Sequence, residues 1–494
     1  MSDRTGRAAA RVVAAVVLLG GGTTAWAGGF EAPGAGAEAM GRGGAFTAKA
    51  DDGSALLYNL AGLARQRGTR LLLEGKLAFH SSDFSRGGVY PDAAGSTAWA
   101  QQPYPTVSDT NGISGAPLIA LSSDFEYFDR WTFAIGLITP EAQDANRQYP
   151  SSVNGTWPAP QRYDLIWAKL LLPIPVLAAA VRVTKWLDIG LGLELLYGNF
   201  NLKATAFADL GTLCPGPEST QCDVILNIKT KGFTATGALG LMFHPLPALH
   251  IGLNVRGPIF LNTSGDVTAS SPPALPAALD PGSEGNPAKA TLPFRLPWVV
   301  RLGIRYAFME GKREKGDIEL DGTYEGWHEA EGTGDALSIP SLGPFSDIKA
   351  TLLHHYKDTG SVRLGGAYNH LFKNDSELTV RLGLFYDSSA TTSAYTRNDF
   401  DTLDKIGATV GLGFKIRGIT INAAYAATTS PSRTVTDSNQ RVINGVSGAT
   451  VLNNGDPTSV FGNGKYTAQT HTAFLGLSFN IERIMKKERV LKYD

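Results

Sequence analysis

Two arginines and two acidic residues stand at alternate positions in neighbouring apolar segments, where they could bind an anionic ligand. Arg301 and Arg305 alternate with apolar residues, and Glu319 and Asp321 do so in the next segment. A guanidinium pairs with a carboxylate through parallel hydrogen bonds. The same residue types in adjacent strands also form cross-strand ion pairs. The pattern leaves two roles open for the arginines: binding a ligand carboxylate, or structural ion pairing inside the fold.

The two cysteines and the histidines suggest no catalytic or metal chemistry. Cys214 and Cys222 lie close together in a segment rich in Pro, Gly and Ser. In an exported protein they are expected to form a loop disulfide, the alternative being two free thiols. The sequence contains neither Gly-x-Ser-x-Gly nor His-Glu-x-x-His, and His354 and His355 fall in a long polar connection. We therefore expect no enzyme activity and no cofactor.

The N-terminus has the pattern of a secretory signal peptide. Three arginines within the first eleven residues precede an apolar run at 12–19, and Ala25-Trp26-Ala27 fits the small-x-small cleavage rule. The run is too short for a membrane anchor, since a spanning helix needs roughly 20 residues. Cleavage after residue 27 leaves 41 basic and 44 acidic residues, a net charge of −3 that indicates no nucleic-acid partner.

From residue 69 the sequence alternates apolar and polar residues in segments of about ten, which is the pattern of transmembrane β-barrel strands. We count fourteen such segments in 69–481. Their connections alternate without exception between long polar ones, such as 81–115 and 430–468, and short ones, such as 184–186 and 415–418. Bacterial barrels have long extracellular loops, short periplasmic turns and an even strand number. The pattern predicts an all-β, 14-stranded antiparallel barrel with both ends in the periplasm.

Alternation also assigns side chains to the two faces of the predicted wall. Val300, Leu302 and Ile304 must face lipid, so Arg301 and Arg305 point into the lumen. A lipid-facing Arg or Lys near the midplane would cost about 2–4 kcal/mol. The same reasoning places Arg363, Arg381, Asp188, Glu194, Glu319 and Asp321 inside. Gly190, Gly192, Gly411 and Gly413 lie within strands, where they indicate bends or close approach of a plug.

The sequence resembles the FadL-type outer-membrane transporters of long-chain fatty acids and aromatic hydrocarbons (OMPP1/FadL/TodX). The first match is Gly41-Arg42-Gly43-Gly44-Ala45-Phe46 through Ala50-Asp51-Asp52 to Tyr58-Asn59-Leu60-Ala61-Gly62-Leu63. Further matches are Leu296-Pro297-Trp298 with Arg301-Leu302-Gly303, and Arg381-Leu382-Gly383 followed by Tyr386-Asp387. Together these blocks extend over nearly the whole chain after the signal. One departure is Leu60, where the family's Asn-Pro-Ala motif has proline.

The resemblance implies a barrel plugged by a small, mainly helical N-terminal hatch. The expected units are a signal peptide at 1–27, the hatch at 28–68, the barrel at 69–481 and a basic periplasmic tail at 482–494. It further implies passive diffusion of a hydrophobic molecule from the extracellular loops to a lumenal pocket and out sideways into the membrane. The exit would lie at a kink in the third strand, where Gly136 and Pro140 weaken strand pairing.

The hatch supplies the candidate lining residues of that pocket. They are Phe30, Phe46, Leu56, Tyr58 and Asn59, to which Arg301 and Arg305 of the barrel are added. An apolar pocket stabilises a hydrophobic ligand by roughly 0.8 kcal/mol per buried methylene. The alternative role of the apolar hatch residues is packing of the plug against the barrel.

Three functions remain distinguishable at this point. The first is transport of hydrophobic small molecules, the second a structural or adhesive barrel acting through its long loops, and the third a general porin. The hatch favours the first, since an adhesin needs none. The expected partners are the hydrophobic substrate, outer-membrane lipid and, during biogenesis, the barrel-assembly machinery. We expect a monomer in the bacterial outer membrane.

Overall fold

The computed structural model describes residues 34–91, 98–139, 146–208, 211–214, 216, 218–270, 274, 282–283, 285–330, 337–342, 345–350, 354–399, 403–442 and 460–485. The segment 1–27 expected to be a signal peptide, Phe30 and Pro140 therefore lie outside the described residues. Within them, no helix has the length and apolar character needed to cross a membrane.

The chain forms a closed antiparallel barrel of fourteen strands. Its sheet contains 21 strand segments, of which four are short additions in the connections and three pairs are the halves of interrupted strands. The strands are β1 (Arg70–Arg86), β2 (Ile113–Ser123), β3 (Trp131–Ile138), β4 (Trp167–Leu171 and Ile174–Arg182), β5 (Leu187–Phe207), β6 (Asp223–Leu246), β7 (Leu249–Arg256 and Ile259–Ala269), β8 (Ala288–Leu296 and Val299–Glu310), β9 (Arg313–Glu325), β10 (Thr359–Leu371), β11 (Glu377–Asp387), β12 (Lys405–Ile416), β13 (Ile419–Val435) and β14 (Gly464–Asn480).

The first and last strands close the barrel. β1 pairs with β14 along its whole length, from Arg70 opposite Asn480 to Arg86 opposite Gly464. This pairing joins the two outermost strands that an open sheet would leave as free edges, which is the condition for placing strands in lipid. After β14 comes the short helix α3 (Ile481–Ile484), whose Glu482 accepts hydrogen bonds from the Thr69 N–H.

Side-chain alternation follows the predicted faces. On β1, Leu73, Leu77 and Phe79 are exposed on the outside, whereas Glu74 and His80 are buried inside. On β8, Arg301 and Arg305 are buried between exposed Leu302 and Tyr306. Exposed large aliphatic or aromatic side chains on every strand form an apolar outer surface, which lipid covers in a membrane barrel.

The hatch lies inside the barrel and contains short helices joined by turns. They are α1 (Ala37–Gly41), α2 (Ala55–Tyr58) and a 3₁₀-helix at Leu60–Arg65. Further short strands occur in the connections. They are Val107–Ser108, Arg147–Gln148, Ser152–Val153, Trp157–Pro158, Leu337–Leu342 and Phe345–Ala350.

Candidate functional site

Three carboxylates on the inner face of β9 hold the hatch. Asp317, Glu319 and Asp321 occupy every second position, so all three point into the lumen. Asp317 and Glu319 accept hydrogen bonds from the Arg42 guanidinium at 2.9 and 3.2 Å. Asp321 accepts the backbone N–H groups of Phe46 and Thr47, both at 2.9 Å. Charged hydrogen bonds of this kind contribute about 1.5–3 kcal/mol each, so the hatch is strongly fixed to this strand.

Arg305 belongs to the same network. Its Nε donates to Asp317 at 2.7 Å, Nη2 contacts Glu314, and Nη1 lies 3.1 Å from His250 Nδ1. Arg305 is opposite Glu319 in register, but Glu319 receives Arg42 and the Ala48 N–H instead. The expected partner carboxylates Glu319 and Asp321 are therefore bound to the hatch, and Arg305 makes its cross-strand ion pairs with Asp317 and Glu314 of β9. This arrangement favours structural ion pairing for Arg305 over ligand binding.

Arg301 contacts the hatch directly. Its Nη1 donates to the Leu57 carbonyl at 3.3 Å, and the side chain is buried. The two arginines lie four residues apart on β8: Arg301 contacts the hatch backbone, whereas Arg305 binds carboxylates of the barrel wall.

A belt of inward-facing glycines lets the hatch backbone lie directly against the wall. A Cβ added at Gly252 would lie 2.2 Å from the Thr47 carbonyl oxygen, and one at Gly365 would lie 2.0 Å from that of Arg42. Both distances are far below van der Waals contact. The belt also includes Gly190, Gly192, Gly240, Gly303, Gly383 and Gly411. Several face one another in register, since Gly190 pairs with Gly240, Gly252 with Gly303 and Gly365 with Gly383.

The predicted hatch residues pack the plug itself. Phe46 and Tyr58 meet edge to face with ring centroids 5.5 Å apart, and both are fully buried. Tyr58 donates its hydroxyl to the Ala35 carbonyl at 2.9 Å. Asn59 caps the 3₁₀-helix through the Ala61 N–H and donates Nδ2 to two carbonyls, one of them Leu241 on β6. The motif asparagine therefore fastens the hatch to the barrel.

Leu56 of the hatch reaches the third strand at Gly136. A Cβ at Gly136 would lie 2.3 Å from Leu56 Cδ1, so glycine at this position is what admits the leucine. Leu56 also belongs to a buried apolar cluster that continues on the extracellular side of the hatch, along inward positions of β4 to β8. Its barrel members include Leu170, Leu172, Leu196, Phe200, Leu261 and Leu296. Porin lumens are polar, so an apolar cluster of this size inside the barrel is a distinctive feature.

The ladder between β2 and β3 covers only part of β2. It runs from Ser123 opposite Phe133 to Ile119 opposite Leu137 and then stops. On β2 the segment 113–118 still pairs with β1 but has no ladder partner on its β3 side among the described residues. Leu118 and Ile138, the first residues beyond the last pair, are buried members of the apolar cluster. The apolar cluster thus extends to the end of the described ladder, where the Thr139 hydroxyl still donates to the Pro117 carbonyl at 3.3 Å.

The disulfide loop fastens the extracellular loops together. Cys214 and Cys222 are joined, with Cα atoms 6.0 Å apart. Between them Glu218 contacts the Arg86 guanidinium through both carboxylate oxygens, and its carbonyl accepts Arg162 Nη2 at 3.0 Å. These three side chains are almost completely buried. Three segments distant in sequence, the end of β1 and two connections, therefore meet at Glu218.

Two hatch carboxyls have opposite pKa shifts. Burial alone would raise the pKa of Glu38, but Arg381 and Lys49 outweigh it and hold the pKa well below its usual range. Burial, together with the negative charge of Glu38, raises the pKa of Asp52 to about 7. The Ser54 N–H donates to Asp52 at 2.8 Å and opposes this shift. Asp52 is thus a hatch group whose charge changes near neutral pH.

Comparison with known proteins agrees with this architecture. The model of the outer membrane protein transport protein family (OMPP1/FadL/TodX) matches residues 18–473. The chain belongs to this family. It is therefore an outer-membrane β-barrel of a family that transports hydrophobic compounds. A search of curated proteins found no match.

Solved structures with the same fold are distant in sequence. A Pseudomonas aeruginosa FadL homologue is 15% identical, with a TM-score of 0.71, covering 92% of this chain and 100% of its own. The Ralstonia pickettii toluene transporter TbuX is 17% identical, with a TM-score of 0.60 and coverages of 91% and 99%. The P. putida toluene transporter TodX is 16% identical, with a TM-score of 0.59 and coverages of 90% and 98%. At such identities the likeness establishes the fold.

Sequence reasoning missed several residues that hold the site together. Arg42 was recognised only as part of a motif, and the partners of Asp317 were not foreseen. The spacing of Asp317, Glu319 and Asp321 could have indicated a carboxylate ladder, because all three share the lumenal face. No local signal could have linked Glu218 to Arg86, which is 132 residues away.

Proposed function

We propose that the protein is a passive channel for small hydrophobic molecules, with a pocket in the apolar lumen above the hatch and a sideways exit between β2 and β3. The observation that carries the proposal is the continuity of the apolar cluster from Phe200 in the lumen to Leu118 and Ile138, next to the last pair of the ladder between β2 and β3 among the described residues. An apolar molecule following this route never enters bulk water. It gains roughly 0.8 kcal/mol for each methylene that it buries on the way.

The chemistry of the lumen also bears on the substrate. Long-chain fatty acids and aromatic hydrocarbons are both compatible with an apolar pocket. Arg305 is already bonded to Asp317 and Glu314, so it is poorly placed to receive a substrate carboxylate. No energy source is required, since the dissolved molecule moves down its own concentration gradient into lipid.

The test is uptake of labelled oleate and labelled toluene by a host that lacks its own fatty-acid barrel. We expect uptake of at least one. A cysteine pair then tests the sideways exit. Leu118→Cys with Ile138→Cys would occupy the register positions next beyond the last pair of the ladder, and Leu121→Cys with Ile135→Cys lies within it. Both pairs are placed in a background without the two native cysteines.

Oxidation should abolish uptake in the variant with Leu118→Cys and Ile138→Cys and leave uptake unchanged in the control variant. Reduction of the new disulfide should restore uptake. Undiminished uptake through a fully cross-linked first pair would exclude the sideways exit. If neither substrate enters through a folded barrel, the transport proposal fails for both and the adhesive role gains support.

A further inference from the structure

The outer wall of β5 and β6 shows where the membrane ends. Outward-facing residues of β6 are mainly apolar from Phe243 to Phe233, a span of ten residues. At about 3.3 Å per residue and a tilt of about 40° this spans roughly 25 Å, the height of a barrel's lipid-facing band. Phe233 pairs with Tyr197 on β5, and both rings are exposed. Aromatic residues at this level mark the membrane interface.

Immediately above these two rings the outer surface becomes basic. Beyond Phe233 the next two outward positions on β6 are Lys231 and Lys229, and β5 carries Lys203 in the same zone. Neighbouring strands extend it, with Lys169 on β4 and Lys289 on β8. We call these five lysines the basic patch: Lys169, Lys203, Lys229, Lys231 and Lys289.

Strand register makes the basic patch one continuous surface. Asn201 pairs with Lys169 on one side and with Lys229 on the other. Lys229 in turn pairs with Asp266, and Asp266 pairs with Lys289. Adjacent strands lie about 4.8 Å apart, so lysines two strands apart on this row are separated by roughly 10 Å at their backbones. Their long side chains can reach a common ligand from there.

The basic patch has little internal compensation. Asp266 pairs with Lys289 at 2.7 Å, and both side chains are about half exposed or more. For Lys169, Lys203, Lys229 and Lys231 the described residues offer no carboxylate within ion-pair distance. Five lysines and one aspartate give this surface a net charge of +4, in a chain whose total is −1. The charges repel one another over distances close to the Debye length of about 8 Å, so a bound anion would stabilise them.

Polar amides lie among the lysines. Asn199, Asn201 and Asn227 face outward on the same two strands, each opposite a lysine of the basic patch. The Oδ1 of Asn201 is enclosed and accepts no hydrogen bond within the described part of the chain. An acceptor of this kind suits a hydroxyl donor, whereas the ammonium groups suit phosphate oxygens.

We propose that the basic patch binds the headgroup of a phosphorylated glycolipid in the outer leaflet of the membrane. The lysines would contact its phosphates and the asparagines its sugar hydroxyls. The position of the basic patch favours a lipid as its ligand. The patch begins at the next outward-facing pair beyond Tyr197 and Phe233, the aromatic residues that end the apolar band. The proposal depends on the membrane location of the barrel and not on its transport activity.

The test measures lipid binding to the detergent-solubilised full-length protein by native mass spectrometry. The probes are lipid A bearing two phosphates and the same lipid after enzymatic dephosphorylation. The variant is Lys169→Gln with Lys229→Gln and Lys231→Gln. Its matched control removes three exposed lysines at the periplasmic rim, Lys312→Gln, Lys373→Gln and Lys415→Gln. Strand content by circular dichroism verifies that each barrel is folded.

We expect the basic-patch variant to bind phosphorylated lipid A on the order of 100-fold more weakly, from about a factor of five per lysine. The periplasmic control should bind phosphorylated lipid A like the unaltered protein. A variant with arginine in place of Lys169, Lys229 and Lys231 should also keep the affinity of the unaltered protein. Dephosphorylated lipid should bind weakly throughout. Equal affinity of the unaltered protein for both lipids, or an unchanged affinity in the glutamine variant, would overturn the proposal and leave the patch to a protein partner.

Discussion

Replacing Arg42 tests whether the carboxylates of β9 hold the hatch. Arg42→Met keeps most of the side-chain volume and removes the guanidinium. In the unaltered protein that group lies 2.9 Å from Asp317 and 3.2 Å from Glu319, with all three side chains fully buried. Removing one partner of a buried ion pair typically costs about 3–5 kcal/mol, because the remaining charge stays desolvated.

The cost should fall on hatch docking and not on the barrel. Asp317 keeps the Arg305 guanidinium at 2.7 Å, so the stranded charge is chiefly that of Glu319. None of these groups takes part in the strand ladders. A loss of about 3 kcal/mol corresponds to a shift of roughly 150-fold between docked and undocked hatch.

Hydrogen exchange measures this shift directly, since amides of the hatch exchange when it undocks. We expect protection of the segment 41–50 to fall at least 100-fold in Arg42→Met, with the amides of β6 unchanged. Adding Glu319→Gln removes the stranded charge, while the amide oxygen can still accept the Ala48 N–H, so protection should partly return. Unaltered protection in Arg42→Met would refute the anchoring role, and failure of the second substitution to help would show that stranded charge is not the cause.

Four further outcomes follow from the same contacts. Gly365→Ala should loosen the hatch, because the added Cβ would lie 2.0 Å from the carbonyl oxygen of Arg42. Gly75→Ala has open space around the added Cβ and should leave the hatch unchanged, and hydrogen exchange of the hatch amides distinguishes the two variants. Because the pKa of Asp52 is raised to about 7, hatch docking should be most stable below pH 4 and should weaken as the pH rises through 7. Asp52→Asn should remove this pH dependence from the hydrogen exchange of the hatch amides, and an unchanged pH dependence would contradict the role of Asp52. Cys214→Ser should lower the stability of the extracellular loops by about 2–3 kcal/mol, and normal protease resistance there would count against a role for the disulfide. Arg305→Gln should change oleate and toluene uptake equally, and a selective loss of oleate uptake would assign Arg305 to the carboxylate after all.

The face of each strand residue could be derived from the sequence. Arg301 and Arg305 were assigned to the lumen from their alternation with Val300, Leu302 and Ile304, and they are buried inside. This inference works because a strand has a period of two and lipid excludes charge, so the environment of each residue follows from its immediate neighbours. The strand count followed equally, since long loops and short turns mark the two ends of a barrel.

The partners of those side chains were decided by the tertiary structure. Register alone placed Glu319 opposite Arg305, yet Glu319 binds Arg42, which is 277 residues away along the chain. The choice depends on where the hatch lies in the lumen, and that position is set by the glycine belt on several strands at once. Local alternation therefore determines which side of the wall a residue faces, whereas contacts between distant segments appear only after the barrel closes around the hatch.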